Sequence, residues 1–428
     1  MTTDAGAQAG NLTAAGAAAG GPEPILAELR DWLAAAWDPE RPLREWRELL
    51  FDARWACPSW PAEWGGRGLS PSLGAAVEEE IRQSGAVGPP AGAGMSLAAP
   101  TILAHGDDAV KRRFLRPIAT GAETWCQLFS EPGSGSDLAG LTTRAERDGD
   151  EWVVNGQKVW TTGAVQAAYG LLLCRTDWDA PKHRGISYFA LPMRQPGVEV
   201  RPLRQMNGRA TFNEVFLSDA RVPHANLIGA LNGGWAVAMT TLSHERGMAS
   251  RFGRLPAGEG RTLREAREEL AAYLKIYEWY PQRAGRADLA PVLARRTGRS
   301  SDPLARQALA GLDALDRAAR WTSERARAAR QAGRPPGPEG SLAKLLLSEI
   351  ARRSARVHSG LVGAAGMLTG TEAVEHGVVA EVLLSTPAQS IAGGTDEIQH
   401  NIIGERVLGL PKEPAVDADV PFKDVRRN

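Results

Sequence analysis

The chain has 428 residues, and at ~150 residues per domain this suggests about three domains. Lys+Arg and Asp+Glu each total 50, for a formal net charge of 0, which argues against nucleic acid or a polybasic membrane surface as partner. With 43% hydrophobic and 23% charged residues, and no apolar run of transmembrane length, a soluble globular protein is expected.

Residues 1–22 are rich in Ala and Gly, lack Lys and Arg, and read as a flexible tail, neither a secretory signal nor a transit peptide. Residues 23–122 read as a helical domain. Pro24 suits a first turn, Leu26, Leu29 and Leu33 fall at helical spacing, and Leu43–Ala56 repeats the pattern. Ser70 with Pro71 predicts a capped helix over 71–84, Met95–His105 is another, and Asp107-Asp108 is a cap for 109–119. At Glu123 the period changes to two. Strands are predicted at 124–129, 142–146, 151–154, 170–175, 186–191, 198–203 and 213–217, with Asp148-Gly149-Asp150 as a hairpin turn, so 123–228 is a β-domain.

From 229 to 411 the chain reads as helical again: a long apolar helix from Gly233 to about Phe252, then 303–332, 341–362 with Ser341 as cap, 371–384 and 395–408. Residues 253–302 form an insertion, Gly- and Arg-rich, with Tyr273, Tyr277, Trp279 and Tyr280 clustered. It reads either as a surface helix packed by its own aromatics or as a lid or subunit contact. Residues 412–428 read as a loose tail. Cys57, Cys126 and Cys174 have no metal spacing and read as buried thiols in a reducing compartment, expected to be the cytoplasm; no metal site is expected.

Three stretches carry chemistry. In Gln127–Asp137 (QLFSEPGSGSD), an apolar run ends in a turn of Pro, Gly and Ser. Its backbone N–H groups and hydroxyls suit a phosphate. Val153–Thr162 (VVNGQKVWTT) follows, and Ile391–Gln399 (IAGGTDEIQ) lies near the far end. In this order and at this separation they resemble the signatures of the acyl-CoA dehydrogenase family of flavoproteins, over roughly residues 24–411. The resemblance implies an α+β fold: an N-terminal helical domain, a middle β-domain and a C-terminal four-helix bundle. It also implies FAD, an acyl-CoA or acyl-carrier-protein thioester as substrate, an electron-transfer flavoprotein as acceptor, and a homo- or hetero-oligomer.

Carried over by position, Phe129 and Ser130 match the strand end at the flavin ring, and Gly135 and Ser136 the pyrophosphate turn. Trp160 matches the aromatic that flanks the flavin, and Thr162 the hydroxyl near N5. Thr395 and Glu397 match cofactor contacts of the third motif, Glu397 standing where Gln is common. Gln307, with Arg296 or Arg299, matches the pair that many members present to a partner subunit's flavin. Many members place the catalytic Glu directly before Gly-Thr, where this chain has Gly393. The resemblance leaves that residue a backbone N–H for the substrate carbonyl. Other branches carry the Glu on the first helix of the C-terminal domain, and Glu245 falls on that position, with Arg246 beside it. His244 reads as a packing or surface residue rather than a base, and Asp396 as a helix cap rather than a base. A vacated position 393 points to substrates that are branched, bulky or ring-bearing near the thioester. The alternatives are a flavin monooxygenase on the same fold, or a subunit of a heteromeric dehydrogenase.

Overall fold

The computed structural model describes residues 22–245, 255–331, 337, 339–414 and 417–425. Most of the expected N-terminal tail and Arg246 lie outside them. The chain forms two compact units, Met1–Gly88 with Arg254–Glu265, and Pro89–Gly253 with Ala266–Asn428.

The first unit holds α1 (Glu23–Ala36), α2 (Leu43–Asp52) and α3 (Pro71–Gln83). Ser70 caps α3 by accepting from Leu73 N–H, with Pro71 in the first turn. The core is built on Trp46, which is fully buried against Trp32 and Trp37 and donates through its indole N–H to Val87 O at 2.6 Å.

In the second unit α4 (Ala99–His105) follows a π-helical turn, and α5 (Asp108–Thr120) is capped by Asp107, which accepts from Val110 N–H at 2.8 Å. Seven strands then form one sheet: β1 (Trp125–Leu128), β2 (Arg144–Asp148), β3 (Glu151–Thr162), β4 (Tyr169–Arg175), β5 (Ile186–Pro192), β6 (Val198–Leu203) and β7 (Phe212–Pro223). The order is β1-β4-β2-β3-β7-β6, with β5 on the open side of β4. β1 and β2 run parallel to β4, and the remaining pairs are antiparallel. One face buries Leu128, Trp152, Val154, Leu172, Phe189 and Val215. β3 continues well past Val154, where the sequence reading stops it. Asn155-Gly156 interrupts the alternation, and the sheet absorbs it as a register shift between Val154 and Gly156. A Cβ on Gly156 would stand 2.5 Å from Thr143 Oγ1, so this crossing of β3 over the loop before β2 requires glycine.

The remaining helices are α6 (Gly234–Glu245), α7 (Arg261–Lys275), α8 (Tyr280–Arg283), α9 (Ala290–Arg296), α10 (Pro303–Gln331), α11 (Glu339–Val362), α12 (Val378–Ser385), α13 (Pro387–Ile391) and α14 (Asp396–Arg406). α10, α12 and α14 all pack on α11, which makes α11 the centre of the C-terminal bundle. The order of helices, sheet and helices is an α+β fold.

Three expectations are corrected, and a fourth falls outside the described residues. Ser341 does not cap α11. It is buried inside the first turn of a helix that starts at Glu339. The helix expected from Thr371 starts at Val378, after Glu375 and His376 in left-handed backbone. The continuation of α6 to Phe252 lies outside the described residues. Finally, the C-terminal residues are not all a loose tail, because Phe422 is buried against the β-domain, with Phe422 N–H donating to Ala180 O and Lys423 N–H to Trp178 O, both at 3.0 Å.

Candidate active site

The first motif begins as β1, at the end of the strand order and paired with β4, and leaves the strand at Phe129. Phe129 is buried edge-on to Tyr188 at 5.8 Å between ring centroids. Ser130 O accepts from Val159 N–H at 2.9 Å, which brings the end of β1 beside the end of β3 and joins the first two motifs. The junction is fixed by a charge pair that the sequence reading missed. Lys158 Nζ, fully buried, donates to Glu131 Oε1 at 2.8 Å and to Phe129 O at 3.0 Å. Glu131 also accepts from Thr142 N–H at 2.6 Å, Thr142 Oγ1 at 2.9 Å and Thr143 N–H at 2.9 Å. Burial alone would push the Glu131 carboxyl up, but Lys158 and these hydrogen bonds overcome it and hold it at about 2. Burial also pulls the Lys158 ammonium down, with Glu131 resisting.

Beyond Glu131 the Pro-Gly-Ser-Gly-Ser turn folds on itself. Glu131 and Ser134 exchange backbone hydrogen bonds, and Ser134 Oγ, buried, donates to Asp137 O. Ser134 therefore shapes the turn, while Gly135 and Ser136 are exposed at its tip.

The second motif ends in strain. Between Lys158 and Thr161 the pairing of β3 with β7 shifts register, and Trp160 sits there at φ 60°. A bulky residue in left-handed backbone is held by its surroundings. The bulge turns the indole out of the sheet. It is 56% exposed and packs edge-on against Phe212 at 5.6 Å, while Thr162, at the end of β3, is half-buried.

Glu245 ends the described part of α6. That helix lies close on β5. A Cβ on Gly234 would meet Ser187 backbone at 2.6 Å, and Thr241, buried, is 2.9 Å from both Tyr188 Oη and Thr101 Oγ1. So anchored, Glu245 Oε2 accepts from Gln127 Nε2 of β1 at 3.2 Å. The carboxylate therefore stands over the strand that leads into Phe129-Ser130 and is half-buried. His244, also half-buried, is its neighbour in the same turn.

In the third motif Gly393 and Gly394 both take left-handed backbone, φ 67° and 83°. Gln399, buried, ties the turn by donating through Nε2 to both carbonyls at 3.3 Å. Among the described residues, and apart from its two chain neighbours, no atom stands within 4 Å of a Cβ built on Gly393. Thr395 is the N-cap of α14, accepting from Ile398 N–H at 3.3 Å. Asp396, the expected cap, instead lies in the first turn and bridges Lys344 and Arg352 of α11, each at 2.6 Å. That pairing also removes it as a free base. Burial opposes its ionisation, but Lys344, Arg352 and two serine hydroxyls hold it far below the usual range. Glu397 is exposed on the same turn. Thr395→Ala should cost about 1 kcal/mol of stability through the lost cap, read as a lower urea midpoint with unchanged slope.

Arg296 and Gln307 are not brought to these groups within the chain. Arg296 ends α9, exposed, paired with Glu375, and Gln307 is exposed on α10. Arg299 pairs with Asp302 and donates to Gly360 O, which ties it to the bundle.

The insertion is not an independent surface helix. Trp279 is 1% exposed and lies 6.1 Å from Phe212, so an aromatic row runs Trp160, Phe212, Trp279, Tyr280. Tyr277 stacks edge-on between Tyr273 at 5.1 Å and Tyr280 at 4.9 Å. Burial, then the neighbouring tyrosines and the charge of Glu245, push the Tyr277 phenol well above its ordinary range. Arg283 lies under Tyr280 at 4.9 Å and donates to Gln389 Oε1 of α13 at 2.9 Å, just before the third motif. The insertion thus links the end of β3, the Glu245 region and the approach to Gly393.

Models of the N-terminal, middle and C-terminal domains of acyl-CoA dehydrogenases match residues 24–122, 126–220 and 289–408. Acyl-CoA dehydrogenase IpdE1 of Mycobacterium tuberculosis is 39% identical over 330 residues, 76% of this chain and 77% of that protein. The chain belongs to the acyl-CoA dehydrogenase family. Acyl-CoA dehydrogenase FadE34 of the same organism is 46% identical over 223 residues, 52% of this chain but only 31% of its own length. Among solved structures, the ChsE4-ChsE5 complex from Mycobacterium tuberculosis is 31% identical, with a TM-score of 0.61 over 91% of this chain and 98% of that one. The Tcur3481-Tcur3483 steroid ACAD is 28% identical, with a TM-score of 0.62 over 92% and 98%.

This acyl-CoA dehydrogenase is therefore an oxidoreductase of a flavoprotein family. Among its described residues no helix is long and apolar enough to cross a membrane, and no group of three or more His, Cys, Asp or Glu could hold a metal. Its three cysteines are buried and free, and burial pushes the Cys126 and Cys174 thiols up to about 12, which leaves them unreactive. The Lys158–Glu131 pair had a signal in the sequence. Lys158 shares the inward phase of β3 with Trp152 and Val154, and a Lys in that phase demands a buried partner.

Proposed function

We propose that this acyl-CoA dehydrogenase performs the FAD-dependent α,β-dehydrogenation of an acyl-CoA thioester, with Glu245 as the base. The carrying observation is the carboxylate of Glu245 held over β1 by Gln127, in a chain whose third motif has Gly393 where the family commonly places the base.

The residues present fit a flavin. Trp160 offers an exposed indole at a fixed angle, the face a flat ring needs, and Gly133 and Gly135 leave open space on the turn suited to a pyrophosphate. In this reading Phe129, Ser130 and Thr162 line the ring, Gly135 and Ser136 meet the pyrophosphate, and Thr395 and Glu397 approach from α14. Arg296 and Gln307, exposed and turned from this chain's own motifs, serve a partner subunit's site. Bound there, FAD supplies the acceptor for the β-hydride. Glu245 takes the α-proton at a carboxylate oxygen, and the backbone N–H of the Gly393 turn holds the thioester carbonyl as charge builds on it. Arg246 follows Glu245 directly in sequence, as an orienting cation. An electron-transfer flavoprotein is the acceptor that fits this chemistry.

We infer a bulky or ring-bearing acyl group. The space beside Gly393 and the tyrosines near Glu245 support it, as does the similarity to a structure titled a steroid ACAD. The test is anaerobic titration of the flavin spectrum with a panel of acyl-CoAs. Ring-bearing thioesters should bleach the flavin at lower concentration and turn over faster than butyryl- or octanoyl-CoA; the reverse ranking overturns the substrate class. The similarity to the two-protein ChsE4-ChsE5 and Tcur3481-Tcur3483 structures, together with exposed Leu304 and Trp321 on α10, favours a multi-subunit enzyme, homo- or heteromeric, which native mass spectrometry reads directly.

A further inference from the structure

The C-terminal segment makes contacts that the reaction does not call for. Pro181 and Pro421 form a bridge, and Phe422, 2% exposed, lies under the buried guanidinium of Arg175 with its ring centroid 3.4 Å from Cζ. That guanidinium also donates to carbonyls of two loops. Its Nη2 donates to Ala139 O at 2.7 Å and its Nε to Leu141 O at 3.2 Å, and a third bond reaches Lys182 O. Lys182 in turn pairs with Asp137 at 2.6 Å and Asp417 at 3.6 Å. Asp137 O is the acceptor for Ser134 Oγ, which closes the Pro-Gly-Ser turn. A continuous run of contacts therefore joins Phe422 to the turn that carries Gly135 and Ser136.

The geometry points to the C-terminal segment 417–425 as a brace for the cofactor's phosphate-binding turn, acting through Phe422 on Arg175 and through Asp417 on Lys182. This rests on the reading of that turn as the pyrophosphate site. Phe422 and Arg175 touch no cofactor atom in this account; they are positioning residues. A cation buried on an aromatic face and three carbonyls is held in one place, and the carbonyls with it. Releasing the ring frees the loop 137–141 and raises the cost of ordering the turn around a phosphate.

The test is Phe422→Ala in the full chain, with two readouts: the dissociation constant of FAD for apoprotein, from flavin fluorescence, and the melting temperature of the apoprotein. The brace predicts an FAD dissociation constant raised about 10-fold, the scale of one charge-assisted contact, and beyond any change that the apoprotein melt explains. Lys182→Met, which cuts the other arm, should raise it in the same direction and serves alone if Phe422→Ala does not accumulate folded. Wild type that binds FAD, with the variant's constant within two-fold of it, overturns the brace and leaves the cofactor reading intact. A wild type that binds no FAD overturns both.

Discussion

Glu245→Gln is expected to abolish the bleaching of bound flavin by acyl-CoA and to lower turnover about 10³-fold, the contribution typical of a positioned general base. The substitution is nearly isosteric and keeps an oxygen to accept from Gln127 at the end of α6, so the fold and the yellow colour of the holoenzyme should survive. That separation of colour from chemistry makes the experiment decisive. Stopped-flow reduction under anaerobic conditions reads the chemical step alone. If the variant retains more than a tenth of the wild-type reduction rate, the base lies elsewhere. Asp396 is not the replacement, because Lys344 and Arg352 already occupy it, and Asp396→Asn should register as lost stability first. Should oxygen be consumed with an external reductant while Glu245→Gln keeps its rate, the monooxygenase alternative gains.

Lys158→Met is expected to destabilise the enzyme by about 3–5 kcal/mol, the range for breaking one partner of a buried ion pair, and to reduce FAD content of the purified protein. The methylene stem keeps its packing, but Glu131 is left buried with an uncompensated charge, and Phe129 O loses a donor. Both effects converge on the end of β1. The sign of the pH dependence follows from Glu131. Its carboxyl is held at about 2, below the ordinary 4.5, so its contribution is complete above the ordinary value and fades as pH falls toward 2. Urea midpoints at pH 7 and pH 3 measure this. Wild type should lose stability between them, and Glu131→Gln should lose less. A Lys158→Met variant with the wild-type midpoint at pH 7 would show that the pair is not a strut.

The succession of helices, strands and helices was legible because hydrophobic period is a local property, and it changes visibly at Glu123 and again near Gly229. Strand positions followed from the same alternation, and caps such as Ser70 and Asp107 from the chemistry of single side chains. What could not be read were pairings across long separations. Glu131 reads as part of a turn and Lys158 lies beyond the predicted end of its strand, and only their meeting across 27 positions makes either one structural. Arg175 gave no sign of burial, because its three carbonyl acceptors come from loops the sequence leaves shapeless. The Tyr273–Tyr280 cluster is visible as composition, yet its neighbour Phe212 comes from the β-domain and Glu245 from a helix that precedes the insertion. Phe422 had a faint signal, one aromatic in a polar terminal stretch, which is better read as an anchor than as noise.

The left-handed backbone at Gly393 bears on how this enzyme could change over time. A carboxylate placed at that position would find room, since nothing among the described residues crowds it, but any side chain there costs about 1–2 kcal/mol in a conformation L-residues avoid. Under the proposed mechanism, with Glu245 as the base, a second acid at 393 would add that strain and a further charge, so single substitutions of this glycine have little to offer the enzyme.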